Sequence, residues 1–129
     1  MEKRKIIIAD DDISTRQFVS TLLAQTCIVL EAEDGKQVLT MAQNEQPSVI
    51  LVNMNLPKID GLTACYTLKT NPAMKRLPVI ILDSACCELD ERMCGAFGAD
   101  GYLTEPLDAD RLVEMVTKFL NRPQTCGVG

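Results

Sequence analysis

Five short apolar runs punctuate this chain, and each is followed by a longer stretch whose apolar positions recur at helical spacing. The runs read as strands over Lys5 to Ala9, Cys27 to Glu31, Ser48 to Asn53, Val79 to Leu82 and Gly101 to Thr104. Most are apolar in succession rather than alternately, as strands covered on both faces require. Between them, Phe18, Val19, Leu22 and Leu23 share one helical face, and Leu112, Val113, Val116 and Leu120 share another. Glu88 to Phe97 reads as a further helix, with Leu89, Met93 and Ala96 directed inward.

Polar residues mark where the helices begin. Asp12 before Ile13, Asp34 before Gly35, Asp60 before Gly61 and Asp108 before the last helix are each placed to act as N-cap. Asn71-Pro72 and Pro78 bracket the entry to the fourth strand. Five βα units with such connections predict an α/β fold, a doubly wound five-stranded parallel sheet, for which the flavodoxin-like 2-1-3-4-5 is one of the two common strand orders. One domain is expected over 1–121, and 122–129, with a Pro and two Gly, reads as a flexible tail or linker stub.

In doubly wound sheets, ligands sit outside the carboxyl ends of the strands, near the switch between the first and third. The side chains at those ends therefore carry the functional information. Asp10, Asp11 and Asp12 follow the first strand, Asn53 ends the third, Asp83-Ser84 the fourth, and Thr104-Glu105-Pro106 the fifth. Asp12 is accounted for as a helix cap. Asp10 and Asp11, adjacent carboxylates at a strand tip, suit a hard cation such as Mg2+.

Composition narrows the picture further. The 129 residues suffice for one domain with a real core, and the formal charge of -5 argues against a general nucleic-acid surface while leaving room for a local basic patch. No apolar run approaches the ~20 residues that span a bilayer. The opening "MEKRKIIIADDD" holds too short an apolar stretch for a signal peptide, so a cytoplasmic protein without membrane contact is expected. Its six cysteines include no C-x-x-C, and His is absent, so reduced and mostly buried thiols are expected, with zinc spacing missing. The vicinal Cys86-Cys87 pair is the candidate for redox or metal sensitivity. No Gly-rich loop follows the first strand, which disfavours a flavodoxin-type nucleotide binder. Without His or a base-activated Ser, hydrolase chemistry has no candidate.

The arrangement resembles the receiver domain of bacterial response regulators, of the chemotaxis-regulator type, from Lys5 to about Leu120. "IIIADDDISTR" is similar to that family's first strand and acidic pair, "EAEDGKQVL" to its second strand and helix start, and "NMNLPKIDG" to its third-strand loop. "LPVIIL" and "GADGYLTEPL" match the fourth and fifth strands, with Pro106 as the candidate cis-proline. The resemblance implies two-component phosphorelay signalling rather than an enzyme. In the family, phosphate passes from a histidine kinase to an Asp at the third strand's tip. Mg2+ there is held by the acidic pair and a backbone carbonyl, here Asp10, Asp11 and Asn55. A Thr or Ser and a Lys grip the phosphoryl oxygens, and an aromatic residue, here Tyr102, acts as the switch.

Three positions depart from that pattern. Asn53 stands at the phosphoacceptor Asp, Asp83 at the Thr/Ser, and Glu105 at the Lys. Ser84 supplies the hydroxyl only through a one-residue register shift, which sends its apolar neighbours to the wrong face. Asp10, Asp11, Asp83 and Glu105 bring four carboxylates with no lysine, where the family's pocket offsets three Asp with one Lys. An amide cannot form an acyl phosphate. The sequence thus predicts a phosphorylation-independent pseudo-receiver that signals through protein contacts, as a monomer or weak homodimer, with no required cofactor. In that reading Glu105 turns to solvent, and packing or a partner fixes Tyr102. The alternative is divalent-cation or proton sensing by Asp10, Asp11, Asp83 and Glu105, with Mg2+ or Ca2+ bound weakly.

Overall fold

The computed structural model describes residues 3–83 and 91–122. Elements alternate strictly: β1 (Arg4–Ala9), α1 (Ile13–Leu23), β2 (Cys27–Ala32), α2 (Gly35–Glu45), β3 (Val49–Asn53), α3 (Gly61–Lys69), β4 (Val79–Asp83), α4 (Glu91–Ala96), β5 (Gly101–Thr104) and α5 (Ala109–Leu120). The five parallel strands run in the order β2-β1-β3-β4-β5, one of the two common orders the βα alternation left open and the one the family resemblance implied. Strand ends differ from expectation by one residue at most. One of those differences matters, because Asp83 lies inside β4 rather than after it.

Successive strand residues feed opposite faces, which explains the unbroken apolar runs. Ile7, Ala9, Ile50, Val52 and Ile81 pack with Val38, Leu62, Leu68 and Cys94 from α2, α3 and α4. Ile6, Ile8, Leu51, Ile80 and Leu82 pack with Val19 and Leu23 of α1 and Leu112, Val116 and Phe119 of α5. Fully burying each such side chain is worth roughly 1.5–3 kcal/mol.

All four expected caps form. Asp12 accepts from Ser14 N at 2.9 Å, Asp34 from Gln37 N at 2.8 Å, Asp60 from Thr63 N at 2.8 Å and Asp108 from Asp110 N at 3.1 Å.

The inward helical faces need correction. On α1, Val19 and Leu23 are buried and Leu22 is half-buried, but Phe18 is exposed. On α5, Leu112, Val116 and Phe119 form the buried stripe, while Val113 faces out and Leu120 is half-buried. On α4 the buried residue is Cys94, and Met93 and Ala96 are exposed. A short helix has room for one inward position per turn, and a cluster of adjacent apolar residues overstates the face. Leu89, like Glu88, lies outside the described residues, as do Cys86, Cys87 and Cys126 and the tail beyond Arg122. Cys27, Cys65 and Cys94 are buried, and burial pushes the Cys65 thiol up to about 12.

Candidate functional site

Register assembles the site. Ala9 pairs with Val52, so the next residues, Asp10 and Asn53, fall side by side at the ends of β1 and β3. Asp83 pairs with Thr104, which sets Glu105 just past the end of β5. The Glu105 backbone N–H donates to the Asp83 carbonyl at 2.7 Å, and the Glu105–Pro106 peptide is cis, as the sequence led us to expect.

Asn53 sits at the centre, with only 8% of its surface exposed. Its Nδ2 donates to Asp10 Oδ2 at 3.0 Å and lies 3.5 Å from Glu105 Oε2. Its Oδ1 accepts from the Asn55 backbone N–H at 2.7 Å, which fixes which end of the amide faces the acids. The loop behind it is clamped. Met54 N–H donates to the Leu82 carbonyl, and Gly61 N–H donates to the Met54 carbonyl, each at 2.9 Å. A Cβ on Gly61 would stand 2.1 Å from the Asn53 carbonyl oxygen, so only glycine lets α3 start this close to the strand tip.

Asp10 is buried, and its Oδ1 accepts from the Asp12 backbone N–H at 2.9 Å. Burial, and secondarily the neighbouring Asp11 charge, holds its carboxyl above the usual carboxylate range. Glu105 is raised as well, by burial first and then by the charge of Asp10. Glu105 therefore does not turn to solvent as the scaffold reading anticipated. It is half-buried against the Asn53 amide. Asp11 and Asn55 are exposed beside the pocket.

Asp83 is 1% exposed. Its Oδ2 accepts from the Tyr102 hydroxyl at 2.5 Å, while Oδ1 has no hydrogen-bond partner among the described residues. Tyr102 is thus held by a side chain of the site itself, where packing or a partner had been expected to fix it. Ser84 lies outside the described residues.

Arg16, which the sequence reading passed over, is also part of the arrangement. This buried guanidinium donates from Nη1 to the Asp10 carbonyl at 2.7 Å and from Nε to Glu31 at 2.9 Å, with Glu33 at 3.8 Å. It braces the β1 tip from behind, on the backbone side. The only sequence signal was a cation one helical turn past the acidic run.

A divalent cation needs oxygen donors directed at one point. Here both Asp10 oxygens already accept hydrogen bonds, and Asn53 turns N–H rather than oxygen toward the acids. Among the described residues no group of three or more His, Cys, Asp or Glu side chains is placed to hold a metal ion. The amide instead supplies the partial positive charge that two neighbouring carboxyls require.

Comparison with known proteins places the chain in a class of signalling domain. Residues 6–117 match the response regulator receiver domain family, so the chain belongs to that family of two-component signalling modules. It is 34% identical over 110 residues to protein PilG of Pseudomonas aeruginosa, covering 84% of this chain and 82% of that one. It is 33% identical over 120 residues to the DNA-binding transcriptional regulator RpaA of Synechocystis, covering 92% of this chain but 49% of RpaA, so it spans about half of that protein's length. Among solved structures it superposes on the receiver domain of Francisella response regulator 1452 with a TM-score of 0.84 at 28% identity, covering 93% of this chain and 98% of that one. Modules of this family are signalling parts that act on other protein domains. No described helix is long and apolar enough to cross a membrane.

Proposed function

We propose that this receiver signals without phosphorylation at its third-strand tip, through protein contacts made by the face of α4, β5 and α5. The observation that carries the reading is the state of Asn53. The residue offers no carboxylate to attack phosphorus, and its amide is held between Asp10, Glu105 and the Asn55 N–H. A dianionic phosphoryl donor would also meet Asp10, Asp11, Asp83 and Glu105 with no lysine at the tip of β5. The Tyr102–Asp83 hydrogen bond supplies what phosphorylation otherwise would, a fixed position for the aromatic side chain of β5. The domain needs no cofactor in this reading, meets a protein partner rather than nucleic acid or membrane, works in the cytoplasm, and exists as a monomer or weak homodimer.

Acetyl phosphate with Mg2+ tests the proposal by mass spectrometry. The wild-type protein is expected to gain no phosphoryl group, whereas Asn53→Asp/Asp83→Thr/Glu105→Lys gains one. A phosphoryl adduct on the wild-type pocket would overturn it.

A second reading, sensing by Asp10, Asp11, Asp83 and Glu105, is favoured for protons over cations. The supporting observation is that the Asn53 amide turns its N–H, not its oxygen, toward Asp10 and Glu105. Millimolar Mg2+ or Ca2+ is expected to leave the melting temperature unchanged. A metal-dependent rise would restore the cation reading.

A further inference from the structure

The opposite end of the sheet carries the reverse charge. A cleft of about 880 Å³ opens beside the starts of β3, β4 and β5, between the end of α2, the segment leading into β4 and Arg122 just beyond α5. Its apolar lining includes Pro47, Met74 and Pro78, and its cationic lining includes Lys75, Arg76 and Arg122. The acid of the cleft, Asp100, is already neutralised. Lys69 pairs with it at 2.8 Å and also donates to the Leu77 carbonyl, and the Val79 N–H donates to the same carboxylate oxygen. Among the described residues no ion pair engages Lys75 or Arg122, both of which are exposed. Arg122 is instead braced over the Phe119 ring, 5.2 Å from its centroid.

A chain of net charge -5 has thus gathered an excess of cations around one concave surface. Like charges brought together there repel one another until an anion joins them. The volume lies within the range of about 300–1,000 Å³ typical of small-ligand sites, whereas a stable protein interface needs roughly 800 Å² from each partner. A compact ligand with several negative charges and an apolar body matches both the lining and the size.

We propose that this cleft binds a small organic phosphate, its apolar body against Pro47, Met74 and Pro78 and its phosphate groups on Lys75, Arg76 and Arg122. The site is independent of the acidic pocket and of any reading of Asn53. It gives the module an input at the amino-terminal ends of the strands, remote from the family's usual position of control.

Calorimetric titration with magnesium-free ATP, and with adenosine for comparison, tests this on the full chain. ATP is expected to bind saturably and more weakly as salt rises, and adenosine is expected not to bind. The Lys75→Ala/Arg122→Ala variant is expected to lose at least about tenfold in ATP affinity, the loss of one charge-assisted contact or more. Lys36→Ala, outside the cleft, should bind ATP as the wild type does, and thermal melts of each variant establish that it is folded. Absence of saturable ATP binding at millimolar concentration, or unchanged affinity in the folded double variant, would overturn the proposal. So would a glutamate-rich peptide that binds more tightly than ATP and depends on the same two cations.

Discussion

Tyr102 and Asp83 meet across neighbouring strands, and the second carboxylate oxygen of Asp83 has no partner among the described residues. Removing the hydroxyl therefore leaves a buried acceptor group further under-satisfied. Tyr102→Phe is expected to cost roughly 1–3 kcal/mol in urea denaturation, a change within experimental error being the contrary result. Asp10 and Glu105 have raised pKa values, so the folded state holds their protons more tightly than the unfolded chain does. Their charged forms oppose folding, and that penalty is relieved as pH falls through their raised values. Asp34 has the opposite sign. The Gln37 N–H it caps lowers its pKa, and its contribution is lost only as pH falls below the ordinary carboxylate range. Denaturation midpoints should therefore rise on mild acidification from neutral, and Glu105→Gln should flatten that rise. A midpoint that falls steadily from pH 7 would contradict the arrangement. The departures at Asn53, Asp83 and Glu105 were legible through the resemblance to the receiver family's motifs. The Asp83–Tyr102 bond and the Arg16 brace were not, because each depends on rotamers that bring separate segments together.

Element identity was the most legible part of the chain. Apolar runs of strand length, alternating with helical period and bounded by capping Asp residues, leave few sheet orders that bury both faces, and β2-β1-β3-β4-β5 is one of them. Which side chains each helix buries was less legible, since neighbouring apolar residues compete for one inward slot. Phe119 completes the α5 stripe with Leu112 and Val116, three and seven positions on from Val116 and Leu112, and Val113 is left outside. Leu112→Ala should accordingly cost about 2–5 kcal/mol, while Val113→Ala should cost under about 1 kcal/mol. Equal costs in urea denaturation would mean that α5 is rotated from the position described. The same periodicity leaves Phe18 on the outer face of α1, next to the groove it lines with Pro106 and Leu107.

At the scale of the whole molecule, charge is segregated along the strands. Carboxylates gather where the strands end, and an excess of cations gathers where three of them begin. Net charge reports only the difference between the two. Lys75 and Arg76 are adjacent in sequence but Arg122 lies far along the chain, and the fold alone brings it to the same cleft. The family architecture is intact, and the proposal of phosphorylation-independent signalling rests on Asn53, Asp83 and Glu105 standing at the strand tips. The most direct measurement is an amide NMR spectrum recorded with and without beryllofluoride and Mg2+, which together mimic a bound phosphoryl group. The signals of Asn53, Asp83 and Tyr102 are expected to stay where they are. Coordinated shifts of these three residues and the α4–β5–α5 face would contradict the account and return the domain to phosphorylation-driven switching.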